Sequence, residues 1–144
     1  MKNKDFISRL DDARILEAIS AAEQRSSGEI RIFISGRRVP DALAAAQVQF
    51  ARLGMQKTRE RNGVLLYFAP VSQQFAIVGD AGVHEKCGDT FWQAIADDMT
   101  RLLKNGQFSD AAIEAISRVG DLLARHFPRR PEDQNELPNR VERD

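Results

Sequence analysis

The chain of 144 residues has one cysteine, two histidines, one tryptophan and one tyrosine. A lone cysteine, Cys87, excludes an intramolecular disulfide and every cysteine-rich zinc site. His84 and His126 are far apart in sequence and offer no close histidine pair for a transition-metal centre. An excess of charge of one sign is missing too. Lys+Arg and Asp+Glu both number 21, so no net field draws the chain to nucleic acid or to an anionic membrane. The short basic cluster Lys57, Arg59, Arg61 has no interleaved aromatics, which argues against a nucleic-acid platform. It suits a solvated helix end, or a contact for a phosphate or carboxylate. No apolar run nears the ~18 residues of a bilayer span. The opening MKNKDFISRLDD lacks the apolar stretch of a secretory leader. No catalytic triad, phosphate loop, dinucleotide fingerprint or zinc motif is present. The expectation is a soluble, reduced, cytoplasmic protein without membrane insertion.

What remains is enough for one domain with one core. Ile15, Ile19 and Ala22 recur at helical spacing, extended by Phe6, Ile7 and Leu10, and predict a helix over 5–26. Residues 29–35 (EIRIFIS) alternate and are rich in isoleucine, so they read as a strand. Asp41 is an N-cap for a second helix with Leu43, Ala46, Phe50 and Leu53 on one face, closed at Gly54 or running on to Arg59. The continuous apolar run 63–69 suits a strand buried on both faces. A turn over 70–73 and a strand over 74–79 make these two an antiparallel hairpin. A third helix is expected from near Asp89, carrying Phe91, Ile95, Met99, Leu102 and Leu103 and ending at Asn105 and Gly106. A fourth opens at Ser109 as cap, with a staple between Phe108 and Ile113, and carries Ile116, Val119 and Leu123. Residues 1–127 form the α/β domain, and 128–144 form an extended tail rich in proline and charge. Within that tail, Leu137, Pro138 and Val141 offer apolar anchors for docking on the domain.

The order α-β-α-β-β-α-α implies a small mixed sheet covered by helices. A helix joins the first two strands, so they run parallel, and the third runs against them. The end of the third strand then lies beside the beginnings of the first two. Residues 80–89 therefore share one sheet edge with Ser27, Gly28, Glu29 and with Arg61, Asn62, Gly63. The run 79–89 (GDAGVHEKCGD) is the most polar and glycine-rich part of that edge. Asp80, Glu85 and Asp89, with Glu29, supply hard oxygen ligands for Ca²⁺ or Mg²⁺. Equally, Asp80 and Asp89 suit caps of a turn and of the third helix. His84 fits a ligand or an acid–base group near neutrality, or a loop histidine bonded to backbone. Ser27, Asn62 and Arg61 complete the edge. Cys87 lacks an orienting base and reads as a packing residue. His126 sits where its charge complements a helix C-terminus.

Several stretches resemble one family. They are SGEIRIFI at 27–34, NGVLLYF at 62–68, IVGDAGVHEKCGDTFW at 77–92, FSDAAIEAI at 108–116 and NELPNRV at 135–141. Together they are similar to the TPM domain family, which includes thylakoid lumen and bacterial proteins, and the likeness runs from about Ala13 to Val141. The resemblance implies a three-layer α/β/α sandwich with a short sheet. It also implies divalent cation binding, with calcium first, on loops of one sheet edge. Phosphatase activity is attributed to some relatives. The functional expectation is a binding domain for a cation or a protein partner at that edge, with a weak metal-dependent phosphatase and a purely structural domain as alternatives.

Overall fold

The structure, a computed structural model, describes residues 12–58, 60–129 and 141–143. The apolar run Gly63–Ala69 forms β2 and is buried along its whole length. Alternation sends Val64, Leu66 and Phe68 into one core and Leu65, Tyr67 and Ala69 into another. β2 is therefore central. It pairs in parallel with β1 (Glu29–Ile34), from Glu29 opposite Gly63 to Ile34 opposite Phe68. On its other side it pairs antiparallel with β3 (Gln74–Gly79), from Val64 opposite Gly79 to Ala69 opposite Gln74. A 3₁₀ turn, Pro70–Ser72, closes this hairpin, with Gln73 at φ 53°. β4 (Val141–Arg143) joins β1 in parallel and gives the order β3-β2-β1-β4.

Among the described residues, one helix covers the first face. α2 (Ala42–Arg52) is capped by Asp41, whose carboxylate accepts from the amides of Leu43 and Ala44. It packs Ala42, Ala46 and Phe50 with Phe33, Leu65 and Tyr67, and the Phe33 and Tyr67 rings stack at 5.5 Å. Leu43, expected on this face, is instead 51% exposed. The buried stripe steps by four from Ala42, which turns Leu43 about 100° away. α2 closes at Arg52, and Gly54, at φ 72°, turns the chain into a short 3₁₀ segment, Met55–Lys57.

Among the described residues, three helices cover the second face. α1 (Asp12–Glu23), α3 (Ala81–Lys104) and α4 (Phe108–His126) pack with Ile30, Ile32 and Ile34 of β1 and the even residues of β2. Ile15, Ile19 and Ala22 line α1 as their spacing predicts, whereas Phe6, Ile7 and Leu10 lie outside the described residues. The result is an α/β/α sandwich around a mixed sheet. Two helix starts differ from expectation. α3 begins at Ala81, capped by Asp80, rather than near Asp89, so most of the polar run 79–89 is helical. Gly88 interrupts it at φ 72°, ψ 176°, a region open essentially to glycine alone. α4 begins at Phe108, with Gln107 as an N-cap that makes no side-chain bond. Phe108 is drawn into the core, which moves Ser109 past the cap and into a buried first turn.

Candidate functional site

The antiparallel course of β3 brings three segments together at the N-terminal ends of β1 and β2. The Asp80 amide donates to the Gly63 carbonyl (2.9 Å), and the Gly82 amide to the Arg61 carbonyl (2.9 Å). Gly82 lies so close that a Cβ there would sit 2.4 Å from the Glu60 carbonyl oxygen and 2.7 Å from that of Arg61. Only glycine lets the first turn of α3 rest on this loop. The 26–28 segment is fixed from below. The Ser26 hydroxyl accepts from the Gly28 amide, the Ser27 amide donates to the Phe127 carbonyl, and the Glu23 carboxylate accepts from the Ile30 amide. The end of α4 thus reaches this edge, as the topology implies, and His126 lies in its last turn.

Two polar contacts cross between segments. The first is a bidentate ion pair: Arg61 Nε and Nη2 donate to the two Asp80 oxygens at 2.8 and 2.9 Å. Arg61 takes a left-handed backbone, φ 53°, to present its guanidinium there. Its hydrogen bond to Asp80, and then the charge of that carboxylate, raise its pKa above the ordinary arginine value. Asp80 also accepts from the Ala81 amide (2.7 Å). This aspartate therefore serves the arginine and the helix start together. A cavity of about 310 Å³ opens beside the pair toward α2, between Gln47, Gln56 and Val78.

The second contact is an oxygen-rich cluster. The Ser27 hydroxyl donates to Glu60, and the Asn62 amide nitrogen donates to Ser27 Oγ (3.1 Å) and Glu60 Oε2 (3.4 Å). Asn62 is buried, and its Oδ1 has no hydrogen-bond partner among the described residues. Glu29 stands opposite Gly63 in register, with its amide donating to the carbonyl of the preceding Asn62, and is buried as well.

The edge thus unites Ser27, Glu29, Arg61, Asn62 and Asp80, and it does so through contacts that spacing alone does not show. His84 and Glu85 lie exposed in the first segment of α3, and Asp89 follows Gly88 in its second. Among the described residues no three His, Cys, Asp or Glu side chains form a metal cage. Sequence reasoning missed Glu60, which meets both Ser27 and Asn62. Its position just before the singled-out pair Arg61 and Asn62 was the available signal.

The arrangement defines a small α/β domain whose polar segments gather at one corner of the sheet. The sequence profile of the TPM domain matches residues 1–122, and the chain belongs to the TPM domain family. It is similar to the solved BA42 protein of the psychrophilic bacterium Bizionia argentinensis, with 33% identity, 92% of each chain covered and a TM-score of 0.85. Two further solved structures share the fold at 16% identity. The N-terminal domain of a P. gingivalis protein covers 79% of this chain and 76% of its own, at TM-score 0.63. The N-terminal domain of cg2496 from Corynebacterium glutamicum covers 89% and 72%, at TM-score 0.52. No curated protein matches the chain. No helix among the described residues is long and apolar enough to cross a membrane.

Proposed function

We propose that this TPM domain is a binding module that takes a divalent cation, Ca²⁺ or Mg²⁺, at the corner where β1, β2 and α3 begin. The observation that carries this reading is the meeting of Ser27 Oγ, Glu60 Oε2 and the buried Asn62 amide, from two separate segments, around one point. Rotation of the Asn62 amide by half a turn exchanges its nitrogen for Oδ1. That places a third oxygen beside the other two, and hard cations select such oxygen donors. Glu60 is the charged ligand; Ser27 and Asn62 are neutral ones, and water fills the remaining positions. Asp80 has both oxygens on Arg61, so it positions the loop rather than binding the ion. Exposed Glu85 lies on the neighbouring turn of α3, and Asp89 lies beyond Gly88. With a single carboxylate, affinity falls in the weak range of about 10⁻⁴–10⁻³ M. A two-metal phosphatase site, with ions ~3.5–4 Å apart, takes more carboxylates than the one ligand assigned here.

The test is an amide NMR titration of the metal-free protein with Ca²⁺ and then Mg²⁺, up to about 10 mM. Saturable shifts at Ser27, Glu60 and the Asn62 side-chain NH₂, abolished by Glu60→Gln, are expected. A flat titration overturns the cation reading, and the same corner then becomes the surface on which to seek a protein partner.

A further inference from the structure

Among the described residues, β3 is the outermost strand on its side of the sheet. Its register settles what it presents outward. Because the Asp80 amide bonds the Gly63 carbonyl, the backbones of Val78, Ala76 and Gln74 also face β2. The N–H and C=O groups of Phe75, Ile77 and Gly79 therefore point away from the sheet. Nothing in the sequence of this strand, QFAIVG, is charged, and it contains no proline. Natural edges are usually blunted by such residues.

The outward side is also a recess. A cavity of about 390 Å³ runs along Ala76 and Ile77, between Leu43 of α2 and Trp92 and Ala96 of α3. At Phe75 it meets a second cavity, of about 450 Å³, lined by Gln74, Thr100, Leu103, Lys104 and Phe108. Lys104 is the single charged residue among those described that line either cavity. Lys104 thus puts one positive charge at this end of a groove whose other lining residues are uncharged.

We propose that this groove is a docking site for an extended apolar peptide that ends in a free carboxylate and adds to the sheet as a strand antiparallel to β3. Direction and charge agree. An antiparallel strand finishes beside Gln74, where β3 starts, and so delivers its terminal carboxylate to Lys104. Backbone pairing to Phe75, Ile77 and Gly79 supplies sequence-tolerant affinity, and the apolar walls select alternating side chains. A second copy of the chain fits poorly. Its own β3 is equally recessed, so the walls formed by Leu43 and Trp92 meet before the two strands do. The groove lies along the lateral edge, apart from the cation corner, and the two readings stand or fall separately.

The full chain is screened against a display library of random free C-termini roughly seven residues long, enough to span β3. Selected sequences are then synthesised with a carboxylate or an amide terminus. The expected result is apolar peptides that shift the amides of Phe75, Ile77 and Gly79. Amidation of the peptide, or Lys104→Glu in the exposed last turn of α3, weakens binding roughly tenfold through loss of a charge-assisted contact. Amidation changes only the peptide, so its effect is independent of how the variant folds. Failure to select any peptide, shifts that map elsewhere, or indifference to amidation each overturns the proposal. So does concentration-dependent broadening of the same three amides without peptide, which means that a second copy fills the groove.

Discussion

The two lateral edges of the sheet are built on opposite principles. On one side, β4 has three residues, two of them charged, and its Glu142 pairs with Arg31 of β1. Arg31 is 2% exposed, and its Nε has no hydrogen-bond partner among the described residues. On the other side, β3 has six uncharged residues, three of which turn their backbone polar groups outward. Among the described residues, charge marks one edge and the other is left ready for pairing. The difference teaches that edge protection in this domain is local. The ion pair that closes one side contributes nothing to the other.

Breaking the closed edge is the largest perturbation. Glu142→Ala strands the buried Arg31 charge and costs about 3 kcal/mol in urea unfolding, the lower end for splitting a buried pair, since Glu142 is itself 17% exposed. Replacing both partners, as Arg31→Met with Glu142→Leu, restores most of that loss. If the single and the double variants unfold alike, the pair does not seal this edge. Next in size is the support at the far end of the open strand. Gly82→Ala drives a methyl into the Glu60 and Arg61 carbonyls and costs about 2 kcal/mol, as overpacking does. The Asp80 and Gly63 amide signals move with it, and a neutral result means that α3 does not rest on the loop. Leu43→Arg has the smallest effect on stability, under about 0.5 kcal/mol, because the side chain is half in water. A larger loss places Leu43 in the core and removes it from the groove. Hydrogen exchange sharpens the contrast without a mutation. Ala76 and Val78, bonded to β2, exchange ~100-fold or more slowly than Phe75 and Ile77. Equal protection of neighbours means that the outward groups are already paired.

Much of this layout was legible in the residues. The hairpin strands fall at 63–69 and 74–79 because a doubly buried run followed by a proline turn admits few alternatives. Asp41 caps α2 as its position before an apolar stripe implies. Reversal of β3 predicts residues 80–89 at one edge with 27–29 and 61–63; the Asp80 and Gly82 amides are hydrogen-bonded there, and the rest of the run continues as α3. The start of α3 was obscured because Gly82 and Gly88 make a helical segment look like loop. Gly82 is there for close backbone approach and Gly88 for a break in direction, neither of which shows in hydrophobic period. The pairing of Arg61 with Asp80 was hidden because each residue has a sufficient local explanation, one as a basic helix end and one as a cap. β4 is too short to show alternation, and it finds its partner by parallel pairing without a turn to announce it. Glu60 went unseen since a lone glutamate in a charged stretch looks like any solvated side chain.

The pairing of Val141 with Ile32 joins positions more than one hundred residues apart. Vectorial synthesis gives that separation a temporal meaning. While the chain emerges from the ribosome N-terminus first, β1, β2 and β3 assemble from nearby segments, and Arg31 waits without its counter-ion. For that interval the nascent sheet has two open sides instead of one. Arrival of residues 141–143 covers one of them, so a translation product cut short before them leaves the outer side of β1 without this partner strand.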